Sequence, residues 1–138
     1  MIYGIGIDLC SIRRVQNIKD LNKFANKILT SGEIKHLDTL DQKNSVNYLA
    51  KQFAAKEALS KALGTGLIGD VKLNLIEIDR DQSGKPYIKM NDHMKTLLSK
   101  IGVNSTFVSL ADDSDFAVAT VILELSLIHI SEPTRLDD

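Results

Sequence analysis

The stretch from Ser45 to Leu63 constrains this chain most. Tyr48, Leu49, Gln52, Phe53, Lys56, Leu59, Ser60 and Leu63 recur there at three- and four-residue spacings, the period of one helical face. That face carries polar groups beside its apolar ones, and Gly64 supplies a natural stop. Within it, Phe53-Ala54-Ala55-Lys56-Glu57-Ala58 runs on through Lys61 into Gly64-Thr65-Gly66, so a carboxylate and two lysines precede a glycine turn. A charge set of this kind suits a metal-bound polyphosphate.

Around the helix the pattern reads as α+β in a single domain. Ile2 to Ile7 alternates large and small residues as a strand does, its glycines permit close backbone packing, and Asp8 marks the exit. Ser11 can cap a helix with Ile12, Val15 and Ile18 on one face, and a short helix over 21–29 follows. Thr30 or Ser31 can cap another through Ile34 and Leu37. Leu73 to Asp79 and Lys85 to Met90 predict a hairpin about Asp81-Gln82-Ser83-Gly84. A helix over 92–101 comes next, then strands over 106–111 and 116–124 around the acidic turn Asp112-Asp113-Ser114-Asp115.

Composition removes several classes. A formal net charge of -1 over 138 residues argues against wholesale nucleic-acid binding. The apolar runs fall short of the roughly 20 residues that span a bilayer, so no membrane segment is expected. Cys10 is alone and the start lacks the pattern of a secretory leader, which predicts a cytoplasmic location. Charge is uneven, however. Between Arg13 and Lys61 cations outnumber acids, either as a solvated helical surface or as a face for an acidic partner.

Two carboxylates from a strand end and a helix, Asp8 and Glu57, can hold Mg²⁺, which prefers oxygen ligands and takes others from water and substrate phosphates. Glu57 and Lys61 are four apart and share a face, whereas Lys56 is turned about 100° from Glu57. Plainer readings stand beside these. Glu57 with Lys61 is also a common helix-stabilising pair, Asp8 could cap the next helix, and a glycine turn is often only a helix terminus. Gly64-Thr65-Gly66 lacks the spacing of a P-loop or a dinucleotide fingerprint. His36 and His93 have no ligand-spaced companions, and Cys10 reads as a packing residue.

Taken together, Gly4-Ile5-Gly6-Ile7-Asp8, Arg14, Phe53 to Ala58, Lys61, Gly64-Thr65-Gly66, Gly84-Lys85-Pro86, Val108-Ser109-Leu110 and Ala117-Val118-Ala119 resemble the holo-[acyl-carrier-protein] synthases of the 4′-phosphopantetheinyl transferase superfamily. The likeness covers Met1 to Glu124. It implies a compact α+β fold, a small antiparallel sheet packed with one long and several short helices, assembled as a homotrimer with active sites between subunits. It implies Mg²⁺-dependent transfer of 4′-phosphopantetheine from coenzyme A to a serine of apo acyl carrier protein, a step that serves fatty acid biosynthesis.

In that family Asp8 and Glu57 would be the metal ligands. Lys61 would stabilise charge at the phosphates, and Glu57 would take the serine proton through an intervening water. Lys61, Gly64, Thr65 and Gly66 would contact coenzyme A, and Arg14, Lys23 and Lys27 would dock the acidic carrier protein. Two positions depart from the pattern. Gln52 stands where many relatives have an arginine that could meet a coenzyme phosphate, and Ala111 where some have a histidine. The alternative is a non-catalytic subunit of the same fold that binds coenzyme A or carrier protein. A different Mg²⁺-dependent phosphotransferase is a further rival. From about Leu125 onward the chain changes character, and residues 125–138 read as a non-native read-through or a floppy tail outside the 1–124 domain.

Overall fold

The computed structural model describes residues 1–64 and 71–126. The order is β1 (Ile2–Ser11), α1 (Ile12–Gln16), α2 (Leu21–Ile28), α3 (Ser31–Leu37), α4 (Gln42–Leu63), a 3₁₀ turn (Leu73–Leu75), β2 (Ile78–Arg80), β3 (Pro86–Ile88), α5 (Asp92–Lys100), β4 (Val103–Asp112) and β5 (Phe116–Leu125). Among the described residues β1, β5 and β4 form an antiparallel sheet in that spatial order, and β2 and β3 a separate hairpin. The α+β expectation holds. Caps explain the helix starts: the Ser11 hydroxyl accepts from Arg14 N, and Thr30 and Glu33 form a reciprocal capping box. Gly64 closes α4 in the left-handed conformation at φ 81°, where a side chain would be strained.

The sheet has two unlike faces. Strand pairing puts Gly4 beside Leu123, Gly6 beside Val121 and Asp8 beside Ala119 on the side covered by α4. The glycines let the helix come very close. A Cβ on Gly6 would lie 1.7 Å from the carbonyl oxygen of Ala58, and one on Gly4 2.0 Å from that of Ala62. Helix backbone therefore rests on strand backbone with nothing but hydrogen between. The opposite side of the sheet exposes Ile5, Ile7, Leu9, Phe107 and Phe116.

Two expectations are corrected. Asp8 does not end the strand: Leu9 and Cys10 continue the alternation and β1 runs on to Ser11, so the acid projects from mid-strand towards α4. The Leu73–Asp79 stretch is not one strand, because a 3₁₀ turn occupies Leu73–Leu75 and pairing begins only at Ile78. At the other end, Leu125 still pairs with Val103, and Ser126 donates its N–H to Gly102 O at 2.9 Å.

Candidate active site

α4 carries two clusters of charge, and they differ in kind. Lys56 is fully buried. Its ammonium donates to Ile28 O, Leu73 O and the Glu33 carboxylate, tying α2, α3 and the 3₁₀ turn to the long helix. Glu33, also buried, further accepts from Thr30 N, Ile78 N and the Gln52 amide. Burial pulls the Lys56 pKa down while Glu33 pushes it back up. Lys56 is therefore a scaffold residue, in keeping with its place on the helix face that carries Leu49, Gln52 and Leu59. Gln52 is likewise turned inward: its amide nitrogen is committed to Glu33 and, at 3.0 Å, to Ile78 O. A longer side chain there would have to reckon with Glu33 before reaching any coenzyme phosphate.

The second cluster lies on the seam between α4 and β1. Lys61 Nζ donates to Asp8 Oδ1 and to Ile7 O, both at 3.0 Å. Asp8 is the better shielded partner, its side chain 16% exposed against 54% for Lys61. Glu57, half-buried one turn before Lys61, feels both. Partial burial pushes its carboxyl above the ordinary carboxylate range, the Asp8 charge adds to that, and Lys61 opposes it. Asp8, Glu57 and Lys61, separated by some fifty positions in the chain, are thus electrostatic neighbours. The close seating of α4 on Gly4 and Gly6 is what brings them there.

The remaining predicted residues fall as follows. Arg14 on α1 and Lys23 and Lys27 on α2 are exposed, away from the core. Gly64 is exposed and serves as the helix stop; Thr65 and Gly66 lie outside the described residues. Two clefts among the described residues, of about 460 and 640 Å³, open elsewhere: one beside His36, Asn44, Tyr48 and Arg80, the other beside Ile12, Gln16, Lys43 and Val46. Neither is lined by Asp8, Glu57 or Lys61.

The acid pair fits a divalent cation of the Mg²⁺ type. Among the described residues no three acidic, histidine or cysteine side chains gather, so Asp8 and Glu57 offer two oxygen donors and leave the other positions to water and phosphate. After burial, the Asp8 charge is the next cause that raises the Glu57 pKa, so the two carboxylates lie close enough to act together.

An α+β domain whose longest helix brings two acids and a lysine to one seam has the make-up of an enzyme that handles charged groups. Known proteins narrow the class. The sequence pattern of the 4′-phosphopantetheinyl transferase superfamily matches residues 4–121. A holo-[acyl-carrier-protein] synthase of Buchnera aphidicola subsp. Baizongia pistaciae is 41% identical over 126 residues, covering 89% of this chain and 98% of the relative. The crystal structure of the Neisseria meningitidis holo-[acyl-carrier-protein] synthase superposes with a TM-score of 0.83 at 40% identity, over 90% of this chain and 99% of that one. The Bacillus anthracis synthase, solved in complex with CoA (3′,5′-ADP), gives 0.78 at 36% identity over 91% and 99%. The chain belongs to the 4′-phosphopantetheinyl transferase superfamily.

Proposed function

We propose that this chain is a holo-[acyl-carrier-protein] synthase: it transfers 4′-phosphopantetheine from coenzyme A to a serine hydroxyl of apo acyl carrier protein and releases adenosine 3′,5′-bisphosphate. The convergence of Asp8, Glu57 and Lys61 on one seam, inside the span that matches the family, carries the reading. Asp8 and Glu57 would hold Mg²⁺, which when bound neutralises charge on the pyrophosphate. Lys61 brings to the same place an ammonium suited to phosphate oxygens. Glu57 would take the serine proton through an intervening water. The serine oxygen bonds to the phosphorus bearing the pantetheine arm as the bond from that phosphorus to the bridging oxygen breaks. Gly64, Thr65 and Gly66, which follow Lys61, complete the coenzyme-facing set in this reading.

A homotrimer with sites between subunits accords with two features. The outer sheet face exposes Ile5 at 59%, Ile7 at 60%, Leu9 at 61% and Phe107 at 50%, an apolar surface that asks for cover. Lys61, beside the acid pair, keeps 54% of its side chain exposed, where a neighbour could add to the site. Light scattering at micromolar concentration should return three copies. Arg14, Lys23 and Lys27, all exposed, would dock the acidic carrier protein. Among the described residues no helix is long and apolar enough to cross a membrane. A cytoplasmic location, which the free thiol of Cys10 suits, goes with the reading.

Mass spectrometry of apo carrier protein incubated with the chain, coenzyme A and Mg²⁺ tests the proposal. The expected result is the mass of one phosphopantetheine gained with adenosine 3′,5′-bisphosphate released. Binding of coenzyme A without transfer would overturn it in favour of a non-catalytic subunit.

A further inference from the structure

We infer that Lys61 is a resident counter-ion of the acid pair, which a divalent cation displaces, so that cation binding is the event that frees this ammonium to face phosphate. The inference rests on the metal reading above and adds to it a competition at Asp8.

The geometry carries it. A lysine ammonium has three N–H donors, and here two are spent on β1, one on Asp8 Oδ1 and one on Ile7 O. A lysine held ready for an incoming phosphate would leave its donors in solvent; this one is folded back across the helix–strand seam. The Asp8 side chain is mostly shielded by its surroundings, so a cation approaching it meets Lys61 at the same carboxylate. Two positive centres at neighbouring oxygens repel, and the divalent one holds the acid pair more strongly. Lys61 can give way without disturbing the fold, because its side chain is 54% exposed and its long stem turns about its own torsions while α4 stays seated on Gly4 and Gly6. Ile7 O, once released, is within reach of water. By linkage the exchange is reciprocal: whatever phosphate holds Lys61 away from Asp8 also favours the cation.

Calorimetric titration of Mn²⁺ into the full chain and its Lys61→Met and Asp8→Asn variants, with Mg²⁺ titrations followed by NMR of the lysine ε-carbons, tests this without any turnover. Lys61→Met should bind Mn²⁺ about two- to fivefold more tightly, the range an exposed ion pair contributes. Asp8→Asn should lose the site. The Lys61 ε-carbon signal, assigned by its absence in Lys61→Met, should move in step with Mg²⁺ saturation. Equal Mn²⁺ affinity with and without Lys61, or an unmoved Lys61 signal, overturns the inference while the Asp8-dependent metal site survives. Absence of any Asp8-dependent binding in the wild-type and Lys61→Met chains removes the metal reading itself, and the inference with it.

Discussion

Replacing Lys56 by methionine separates scaffold from site. The ammonium is fully buried and serves three acceptors, of which the Glu33 carboxylate is buried as well. Methionine fills a similar volume, so the change is chiefly one of charge and hydrogen bonding. Glu33 would keep Thr30 N, Ile78 N and the Gln52 amide but lose its counter-charge, and Ile28 O and Leu73 O would lose a donor. Breaking a buried pair from one side costs about 3–5 kcal/mol. A domain of this size has roughly 5–15 kcal/mol in all, and each kcal/mol moves the melting temperature by about 3–4 °C. Lys56→Met should therefore melt roughly 10–20 °C lower by calorimetry at fixed protein concentration. Adding Glu33→Gln removes the unpaired charge but cannot restore the network, because Glu33 accepts from Thr30 N on one oxygen and from Ile78 N and the Gln52 amide on the other, and an amide has only one accepting oxygen. Below its transition the single variant should keep transferase turnover, because Lys56 contacts none of Asp8, Glu57 or Lys61. A loss under about 1 kcal/mol would refute the reasoning.

Gly6→Ala should push α4 off β1, costing about 1–3 kcal/mol and most of the activity, with the loss visible as a weakened dependence on Mg²⁺; unchanged Mg²⁺ affinity would show that the glycine does not set the site. Glu57→Gln should abolish transfer yet stabilise the fold at neutral pH. A carboxyl whose pKa is raised on folding binds more protons in the native than in the unfolded state, so its contribution to stability falls as pH rises through the interval above its ordinary value near 4.5. That slope should vanish in the variant, as melting scans across pH would report. Arg14→Glu should slow association with carrier protein and flatten its salt dependence, read by stopped-flow at two ionic strengths. Ending the chain after Ser126 should leave solubility and turnover intact, whereas ending it after Glu124 removes the Leu125–Val103 pairing and should lower stability measurably in a melt.

The helices were legible because each carries its own start and stop: Ser11, Thr30 and Gly64 act where the sequence placed them. The acid pair was also legible, since the glycine-spaced strand and the Ala-Lys-Glu helix segment announce a close seam. What local periodicity misses is the partner far along the chain. Helical spacing sets Lys56 on the core face and Lys61 beside Glu57, but it does not name the acid that each lysine meets. Those acids are Glu33, whose carboxylate reaches Lys56 from α3, and Asp8 on β1, which Lys61 finds. Asp8 was placed at a strand end because acids are depleted from strands, but tertiary context overrode the propensity. The break at Leu73–Leu75 has a similar origin: Leu73 O turns inward to accept from Lys56, which alternation alone does not reveal.

Seating a helix directly upon strand peptide groups has a consequence for how such a protein can change over generations. Where side chains fill the gap between two elements, each swap of a methyl nudges the elements apart or together, and anything borne on them drifts. Here the spacing is dictated by carbonyl against Cα, units that every amino acid shares. The separation of the two acids is thereby tied to two glycines and not to the bulk of any side chain.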